Sequence, residues 1–583
     1  MLSWCSLKAR PDLETTVATW LPPPHSSGRT DLIRVFAGSA RTPERRCGYK
    51  TALKARPGLK PPAGPLPGYK ADPREDFNLG PAGDALNLIE YKDVAVATAL
   101  ALALQAKGDR PAADPALATW TRTAVTQYLA GGYQGLIPVR HPWVRVTPLD
   151  EPDERGARRY EQCAWGRPYT SPDGSVRELW IPVAGPLSET EPDEGQLAAT
   201  AMVLAFGTPH RLPEWFRWKE NAEPLETDTP DGARLPDLVR IREVSCLDGT
   251  RRLVDEQTLG RIEERYQRIG RPQLASAVSS GEFVPGYDCE DCKLVPVCPA
   301  LRRTTGLLGI EDTTRPRRIW SVTNGRSYAG RPGRDEACAA RERLRRLRLP
   351  DRTGRSLTPT VVRGHAVHAW IQEQHERHPG VACRAEDAPD GNSPWSAGKW
   401  TVPLEEAGTG SRMVAAHARH CPYRLSTVTT LVHEKSIMMH DTAADVLVTA
   451  KSDLLYRDGA SWVYREVKTD ARLRLSSETD LLREVPQLAL AVLLMERAQG
   501  DLTTSRVELE LLGPDVARLV IVDPSDPLHR AEARQVIHDL AVDWHADTTA
   551  LPRPGRYCRY CEMVEWCQPN PPPGTPSEQG VQP

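Results

Sequence analysis

Two carboxylates and a lysine flank a predicted β-hairpin in the last third of the chain, at Asp453, Glu466 and Lys468. Asp458-Gly459 is a strong two-residue turn signal, and a hairpin closed by it places Asp453 opposite Tyr464 and diagonal to Glu466. Because side chains alternate along a strand, Glu466 and Lys468 then share the face that carries Asp453. Carboxylates suit Mg²⁺, and a lysine can orient an attacking water or neutralise charge on a phosphate. The pattern predicts metal-assisted phosphodiester hydrolysis, with a solvated sheet edge as the alternative.

Two further signals stand on either side of this hairpin. Upstream, Gly364 and His368 form a Gly-x-x-x-His motif that opens an apolar stretch, and downstream Gln487 is the polar entry to a buried helix. In this order, Gly-x-x-x-His, Asp, Glu-x-Lys and Gln, the chain resembles the RecB-like branch of the PD-(D/E)XK nuclease superfamily. The resemblance implies an α/β fold, with a central mixed sheet flanked by helices, and a DNA nuclease that depends on a divalent metal.

The same resemblance assigns roles to residues of this chain. Asp453 and Glu466 would be the main ligands of Mg²⁺ or Mn²⁺, His368 an auxiliary ligand and Lys468 the catalytic lysine. Two positions depart from the family pattern: Ala450 replaces a glycine before the aspartate, and Ala491 replaces the tyrosine of the Gln-x-x-x-Tyr motif that begins at Gln487. The second departure bears on how the helix contacts the DNA backbone. A glutamate on the preceding strand, here Glu434, often borders the site in this family, although a structural ion pair is the alternative.

Cysteines supply an independent signal near the C-terminus. Cys558, Cys561 and Cys567 form a C-x2-C-x5-C run that needs one more thiolate to complete a four-sulfur site, and Cys338 is the candidate. This arrangement resembles the iron–sulfur subgroup of AddB-type helicase-nuclease subunits and of a nuclease family of CRISPR adaptation. The resemblance implies a [4Fe–4S] cluster that ties the two ends of the nuclease core together. A zinc site with four cysteine ligands and disulfides are the alternatives.

The cysteine signature occurs twice. Cys289, Cys292 and Cys298 repeat the spacing, and Cys47 matches the surroundings of Cys338. Gln196 and Gln487 open similar apolar helices, and their separation equals that of the two leading cysteines, since 487 − 196 and 338 − 47 both give 291. Self-similarity of this length predicts two copies of one fold in tandem, with one or two [4Fe–4S] clusters in all.

The first copy is predicted to lack the metal site. Aligning Asp173-Gly174 with Asp458-Gly459 puts Pro168, Ile181 and Val183 at the positions of Asp453, Glu466 and Lys468. The stretch 87–105, which should supply a histidine, contains none. Without ligands the site cannot hold Mg²⁺, so the N-terminal copy is predicted to be a degenerate pseudo-nuclease.

The composition of the chain limits the classes of protein to which it can belong. The chain has 583 residues, a net charge of −2, 40% apolar residues and 26% charged residues, which is typical of globular proteins with two or more domains. Its longest apolar run, Val94 to Leu104, is too short to cross a bilayer, and a signal peptide is not evident, so we expect a cytoplasmic protein. DNA affinity would come from local basic surface, for which the predicted helix Arg341 to Arg348 is the best candidate.

The predicted layout has three parts. Residues 1–310 form the degenerate module, 311–567 the active module, and 568–583 a disordered tail rich in Pro, Gly, Ser and Gln. Five further cysteines lack ligand spacing and are interpreted as buried thiols: Cys5, Cys163, Cys246, Cys383 and Cys421.

The sequence thus favours a metal-dependent DNA nuclease with iron–sulfur staples. The alternative is a non-catalytic nucleic-acid-binding or scaffold subunit of a DNA-processing or defence complex. A phosphate-binding Gly-x-x-x-x-Gly-Lys-Ser/Thr loop is missing from the sequence, so any helicase would be a separate subunit.

Overall fold

The structure is a computed structural model. It describes residues 20–41, 46–61, 77–106, 112–211, 222–228, 234–330, 337–351, 357–470, 480–497 and 504–567. These residues form two compact units. The N-terminal unit comprises described residues of Thr16–Ala300, Ala340–Thr353 and Leu551–Pro583, and the C-terminal unit those of Leu301–Ala339 and Gly354–Ala550. The tail 568–583 lies outside the described residues.

The N-terminal unit contains two five-stranded mixed sheets, ordered β10-β9-β5-β6-β2 and β12-β11-β8-β7-β4 once its strands are numbered along the chain. The strands are β1 (Ser27–Gly28), β2 (Leu32–Phe36), β3 (Leu59–Lys60), β4 (Ile137–Pro138), β5 (Trp143–Pro148), β6 (Arg159–Cys163), β7 (Arg167–Thr170), β8 (Val176–Val183), β9 (Thr208–Arg211), β10 (Glu226–Thr227), β11 (Leu238–Ser245) and β12 (Arg251–Thr258). The helices are α1 (Gly48–Lys54), α2 (Gly80–Lys92), α3 (Val96–Leu104), α4 (Pro115–Ala130), α5 (Glu194–Phe206), α6 (Leu259–Arg265) and α7 (Arg271–Ser279).

The C-terminal unit is built on one seven-stranded mixed sheet, ordered β13-β17-β18-β19-β20-β21, with β14 paired to β18. Its strands are β13 (Arg302–Thr304), β14 (Arg318–Trp320), β15 (Trp395–Ala397), β16 (Trp400–Val402), β17 (Val428–Asp441), β18 (Val446–Asp458), β19 (Ser461–Thr469), β20 (Arg506–Leu512) and β21 (Ala517–Val522). The helices from here on are α8 (Val322–Ala329), α9 (Ala339–Arg346), α10 (Pro359–Arg377), α11 (Leu404–His417), α12 (Leu481–Glu484), α13 (Pro486–Arg497) and α14 (Pro527–Ala546). Of these, α9 begins at the last residue of Leu301–Ala339 and continues into the N-terminal unit.

Side-chain alternation along the strands divides the core of the C-terminal unit. Leu455 and Tyr464 pack into a cluster with α8, α13 and α14, whereas Leu454 and Val463 pack into a second cluster with α10 and α11. The sheet therefore has a helical layer on each face. Helix α13 is buried from Leu488 to Met495, in agreement with its nearly continuous apolar sequence. These features confirm the predicted α/β class with mixed sheets flanked by helices.

The two units repeat one succession of elements. In the N-terminal unit the β7–β8 hairpin is followed by α5, by β11 parallel to β8, and by β12 antiparallel to β11. In the C-terminal unit the β18–β19 hairpin is followed by α13, by β20 parallel to β19, and by β21 antiparallel to β20. This order agrees with the predicted tandem duplication.

Two segments of the predicted second module pack in the N-terminal unit. Leu344 of α9 and Leu347, which follows the helix, join the core around Trp120 together with Trp566 near the C-terminus. The Trp566 indole donates to the carbonyl of Pro350 at 2.7 Å and meets the Trp120 ring edge-on, with ring centroids 5.6 Å apart. The units are thus discontinuous in sequence, unlike the predicted division at residue 310. Among the described residues, no helix is long and apolar enough to cross a membrane.

Candidate active site

The β18–β19 hairpin forms where the sequence predicts it, but its turn is displaced by one residue. Asp458 pairs with Ser461, so Gly459 and Ala460 form the turn, with Gly459 at a φ of 59°. The Asp458 carboxylate is held within the strand by hydrogen bonds from Thr427 and Arg506. Because Leu454 pairs with Arg465, the same register puts Asp453 across from Glu466 and not from Tyr464 as expected. The partner of Asp453 therefore moves by two residues, from Tyr464 to Glu466. Because two is an even number, Asp453, Glu466 and Lys468 still lie on one face of the sheet, as predicted.

Helix α10 brings His368 to this hairpin. The His368 Nδ1 atom lies 3.3 Å from Asp453 Oδ1, while Asp453 Oδ2 accepts a hydrogen bond from the Val467 backbone at 2.6 Å. One turn earlier on α10, a Cβ at Gly364 would come within 3.0 Å of the Thr469 hydroxyl oxygen. The glycine of the Gly-x-x-x-His motif therefore permits the close approach of α10 to β19 that places His368 beside Asp453.

Glu466 and Lys468 form an ion pair on β19 through Glu466 Oε1. The second carboxylate oxygen, Oε2, is buried and has no hydrogen-bond partner. Burial and the nearby carboxylate of Asp453 raise the pKa of Glu466 to about 7, against the opposing effect of Lys468. Burial also disfavours ionisation of Asp453, but His368, Lys468 and the Val467 N–H outweigh it and hold the pKa of Asp453 below its usual value. A buried carboxylate oxygen without a donor, next to a second carboxylate, is a natural position for a cation.

Glu434 could not be given a firm role from the sequence. Its carboxylate, the His368 ring and Asp453 each offer a ligand atom, and these atoms all lie within 4.8 Å of one another. Glu434 has a φ of 52°, which is rare for a residue other than glycine, and it also forms an ion pair with Lys451. Backbone in this left-handed region at a site of converging ligands is a recurrent feature of functional sites. A sequence pattern gives no signal for such a local distortion within a strand.

Gln487 lies at the first turn of α13, directly after Pro486. Its oxygen Oε1 is buried and has no hydrogen-bond partner among the described residues. The segment 471–479 that precedes this part of the chain lies outside the described residues. The structure thus places Gln487 at the predicted helix entry, and its role remains a prediction.

The counterpart hairpin of the N-terminal unit, β7–β8, carries different residues at the positions of the metal ligands. Pro168 pairs with Leu179, as the turn alignment predicted, and in this register the residue across from Ile181 is Gly166. None of these residues carries a metal ligand. Among described residues, both groups of ligand atoms that could hold an ion lie in the C-terminal unit.

Two buried carboxylates near this hairpin have arginine partners. Glu90 pairs with Arg167, and Glu178 accepts hydrogen bonds from Arg242 at 2.8 Å and from the Trp180 indole at 2.7 Å. An arginine that neutralises a buried carboxylate replaces a metal ion in that role. This agrees with a degenerate copy.

The first cysteine quartet lines a single pocket of the N-terminal unit. Cys47, Cys289, Cys292 and Cys298 all line it. A single tetrahedral zinc ion would hold four sulfurs about 3.8 Å apart. Among the described residues, the groups whose ligand atoms all lie within 4.8 Å of one another do not include these four sulfurs. The four sulfurs are therefore not all within 4.8 Å of one another.

The two C-x2-C-x5-C runs fold alike. The backbone N–H of Gly286 donates to Cys289 Sγ at 3.5 Å, and that of Gly555 donates to Cys558 Sγ at 3.3 Å. Both glycines follow a proline, at Pro285 and Pro554, which is a signal shared by the two copies that the cysteine spacing alone did not reveal. Backbone N–H groups aimed at sulfur stabilise thiolates and therefore suit metal ligation.

The second quartet remains a prediction. Cys558, Cys561 and Cys567 belong to the N-terminal unit, and Cys338 belongs to the C-terminal unit, immediately before α9. Three arginines of α9, the helix predicted to contact DNA, have carboxylate partners. Arg341 and Arg345 pair with Glu562, and Arg343 pairs with Asp114.

Comparison with known proteins supports a nuclease. The family model of the PD-(D/E)XK nuclease superfamily matches residues 336–568, a range that contains the candidate active site and the second cysteine quartet. Two solved structures are similar to parts of the chain. A protein described as a candidate exonuclease from Eubacterium rectale is 12% identical, with 44% of this chain and 91% of that one covered and a TM-score of 0.29. SSO0001 is 17% identical, with 24% of this chain and 59% of that one covered and a TM-score of 0.16. No curated protein matches the chain.

Proposed function

We propose that the chain is a divalent-metal-dependent DNA nuclease whose active site is built by His368, Glu434, Asp453, Glu466 and Lys468. The observation that carries this proposal is the convergence of ligand atoms from His368, Glu434 and Asp453 beside Glu466, whose oxygen Oε2 is buried without a partner. The match to the PD-(D/E)XK nuclease superfamily over residues 336–568 supports the reaction class.

The donor set fits Mg²⁺ or Mn²⁺. Asp453, Glu466 and Glu434 supply carboxylate oxygens, which both ions accept, and the His368 imidazole is a softer donor that suits Mn²⁺ better than Mg²⁺. When bound, the ion would lower the pKa of a coordinated water and offset charge on the phosphate. We therefore expect Mn²⁺ to support cleavage at lower concentrations than Mg²⁺.

The remaining tasks fall to the side chains of the chain itself. The Val467 N–H fixes the orientation of the Asp453 carboxylate. Lys468 is anchored by Glu466 and is 40% exposed, so its ammonium can contact both the site and an incoming phosphate. Its positive charge would stabilise negative charge that builds on the phosphate oxygens during attack by water.

Lys468→Ala tests the proposal. Loss of a charge that acts mainly on the transition state should reduce cleavage by about 10²- to 10³-fold and leave substrate binding nearly unchanged. Single-turnover cleavage of labelled DNA with Mn²⁺ or Mg²⁺ and direct DNA-binding titration would measure the two quantities. The control is Lys92→Ala, an exposed lysine at the end of α2 in the N-terminal unit. Full cleavage by the Lys468 variant, or cleavage in the presence of excess chelator, would contradict the assignment.

We further propose that the cysteine quartets hold iron–sulfur clusters, with Cys47, Cys289, Cys292 and Cys298 in one and Cys338, Cys558, Cys561 and Cys567 in the other. The shared pocket of the first quartet and the N–H···S hydrogen bonds in both runs support this. Zinc in either quartet is the alternative.

Metal analysis of two matched variants separates these possibilities. Anaerobically purified protein should carry about eight iron and eight sulfide per chain, as four of each for each cluster. Cys292→Ser and Cys561→Ser should each remove about half of both, and only the second should also strongly reduce cleavage. A colourless protein that carries zinc in these sites would overturn the cluster assignment and leave the nuclease proposal intact.

A further inference from the structure

Four buried side chains of the C-terminal unit converge at a point distinct from the candidate active site. They are His375 at the end of α10, Cys383 in the following loop, His417 at the end of α11, and Cys421 four residues later. Each offers one ligand atom, and all four atoms lie within 4.8 Å of one another. All four residues are at most 8% exposed, and both cysteines are free thiols.

The spacing agrees with a single ion. Bonds of about 2.0 Å to nitrogen and 2.3 Å to sulfur put neighbouring ligands of a tetrahedral zinc ion about 3.5 Å apart. In the structure His375 Nε2 lies 3.3 Å from Cys421 Sγ. The backbone N–H of Cys383 also donates to Cys421 Sγ at 3.3 Å, as it would to a metal-bound thiolate.

In His375 and His417, the ring nitrogen that points away from the two cysteines has a hydrogen-bond partner. The other ring nitrogen of each histidine is therefore free to bind a metal ion. His417 Nδ1 lies 2.7 Å from the Glu510 carboxylate on β20, and His375 Nδ1 lies 2.9 Å from His433 Nε2 on β17. His417 Nε2 is buried and has no hydrogen-bond partner. A histidine that binds a metal characteristically uses its other ring nitrogen in this way, often with a carboxylate.

We propose that His375, Cys383, His417 and Cys421 form a structural zinc site. Two thiolates and two imidazoles in a closed tetrahedral set are the donors that zinc prefers, and no position remains for a substrate. Binding requires both thiols to lose their protons, and two thiolates neutralise the charge of one Zn²⁺.

A disulfide between Cys383 and Cys421 is the competing arrangement, and the histidines argue against it. It would leave His417 Nε2 buried without a partner, which is unfavourable for a polar atom. It would also give no reason for Glu510 to be directed at His417, since Glu510 already pairs with Arg465 at 3.1 Å.

The site would fix the helical layer of α10 and α11 to the central sheet. Its ligands come from the ends of both helices and from the loops that follow them, and their outer partners come from β17 and β20. His375 lies seven residues, or two turns, after His368 on α10. A zinc ion at this end of α10 would hold the helix that positions His368, without taking part in the reaction.

Zinc content of the full chain and of matched variants tests the proposal. Protein purified without chelators should contain about one zinc per chain bound by two histidines and two cysteines, and extended X-ray absorption at the zinc edge should give about two sulfur and two nitrogen neighbours. Cys421→Ser and His417→Ala should lose this zinc. Cys163→Ser, which alters a buried free thiol of the N-terminal unit, should retain it.

A second pair of variants keeps the test decisive if the ligand variants fail to fold. Glu510→Gln weakens the partner of His417 and should reduce zinc affinity about 10- to 100-fold in competition with a chromogenic chelator. Glu178→Gln neutralises a buried, arginine-paired carboxylate of β8 in the N-terminal unit, and should leave the affinity unchanged. Three results would overturn the site: a Cys383–Cys421 disulfide in peptide mass spectrometry, zinc bound by four sulfurs, or equal zinc affinity in both Gln variants.

Discussion

At the scale of single residues, the candidate active site combines carboxylates with opposite environments. Asp453 has three groups that favour its charge, whereas Glu466 is buried beside another carboxylate and has one unpaired oxygen. The chain therefore stores an electrostatic cost at Glu466 that a bound cation would relieve. Stability given up at a functional site is common in enzymes.

Glu466→Gln should stabilise the metal-free protein while abolishing cleavage. With a folded-state pKa of about 7, the folded state keeps a proton that the unfolded state loses from about pH 4.5 upward. The wild-type carboxyl thus destabilises the fold increasingly between pH 4.5 and 7, and constantly above pH 7. The gain on substitution should follow this course and reach on the order of 3 kcal/mol. Denaturant unfolding in chelator at several pH values would measure it.

Glu508→Gln is the matched control for this prediction. Glu508 is a buried glutamate of the same sheet, but its carboxylate accepts hydrogen bonds from Arg465 at 2.6 Å, Tyr456 at 2.7 Å and Arg506 at 2.6 Å. Its substitution should destabilise the protein by about 3 kcal/mol, because paired arginines lose their counter-charge. If both variants shifted stability in the same direction, the electrostatic account of Glu466 would be wrong.

The residue types of the site were predictable, but their exact partners were not. His368, Asp453, Glu466 and Lys468 come together because spacing and strand parity constrain them. The opposing residue of Asp453 depended on a turn that Thr427 and Arg506 displace by one position, which only tertiary contacts decide. Glu434 needs a left-handed backbone conformation within a strand, and the tetrad of His375, Cys383, His417 and Cys421 draws ligands from separate segments.

At the scale of elements, α10 organises the C-terminal unit. It carries Gly364 and His368 towards the hairpin and His375 towards the proposed zinc site. One turn before His368, the exposed ring of His365 stacks on Trp400 of β16, with centroids 4.4 Å apart and planes inclined by 14°. The Lys399 ammonium lies 4.9 Å from the centre of the same indole. An aromatic surface with an adjacent cation suits the bases and backbone of single-stranded nucleic acid.

Trp400→Ala should therefore weaken DNA binding without changing the chemistry. Stacking is worth about 1–3 kcal/mol per base, so the KM for single-stranded DNA should rise by about 5- to 150-fold, with kcat nearly unchanged. Steady-state cleavage of a labelled oligonucleotide would separate the two constants. Trp165→Ala, at an exposed tryptophan of the N-terminal unit, serves as the control. An unaltered KM, or a loss confined to kcat, would exclude stacking at Trp400.

The elements themselves were largely foreseeable from sequence. The hairpin, the buried helix after Gln487 and the helix of the Gly-x-x-x-His motif follow from turn chemistry and apolar periodicity. The basic face of α9 was harder to interpret, because charge alone does not distinguish a DNA contact from ion pairs such as Arg343 with Asp114.

At the scale of the whole molecule, the duplicated order of elements agrees with the repeat in the sequence, but the units do not follow its boundary. By sequence similarity, the second copy extends to Cys567. Apolar contacts nevertheless assign its last segment, from Leu551 to Cys567, to the N-terminal unit. Motif spacing indicates which segments of a sequence resemble each other, whereas packing depends on which apolar surfaces meet. Trp566 is completely buried in the N-terminal core, a fact that its spacing from Cys561 could not reveal.

This division predicts which unit is destabilised by a substitution in each core. Trp566→Ala removes a fully buried side chain and should cost about 3–5 kcal/mol in the N-terminal unit, while Leu490→Ala, in the middle of α13, should cost about 2–5 kcal/mol in the C-terminal unit. Scanning calorimetry of intact anaerobic protein should resolve two transitions. Each variant should lower a different one, because the substituted side chains lie in separate cores. If Trp566→Ala and Leu490→Ala lowered the same transition, the segment after Leu551 would belong with the nuclease core, as a division contiguous in sequence requires.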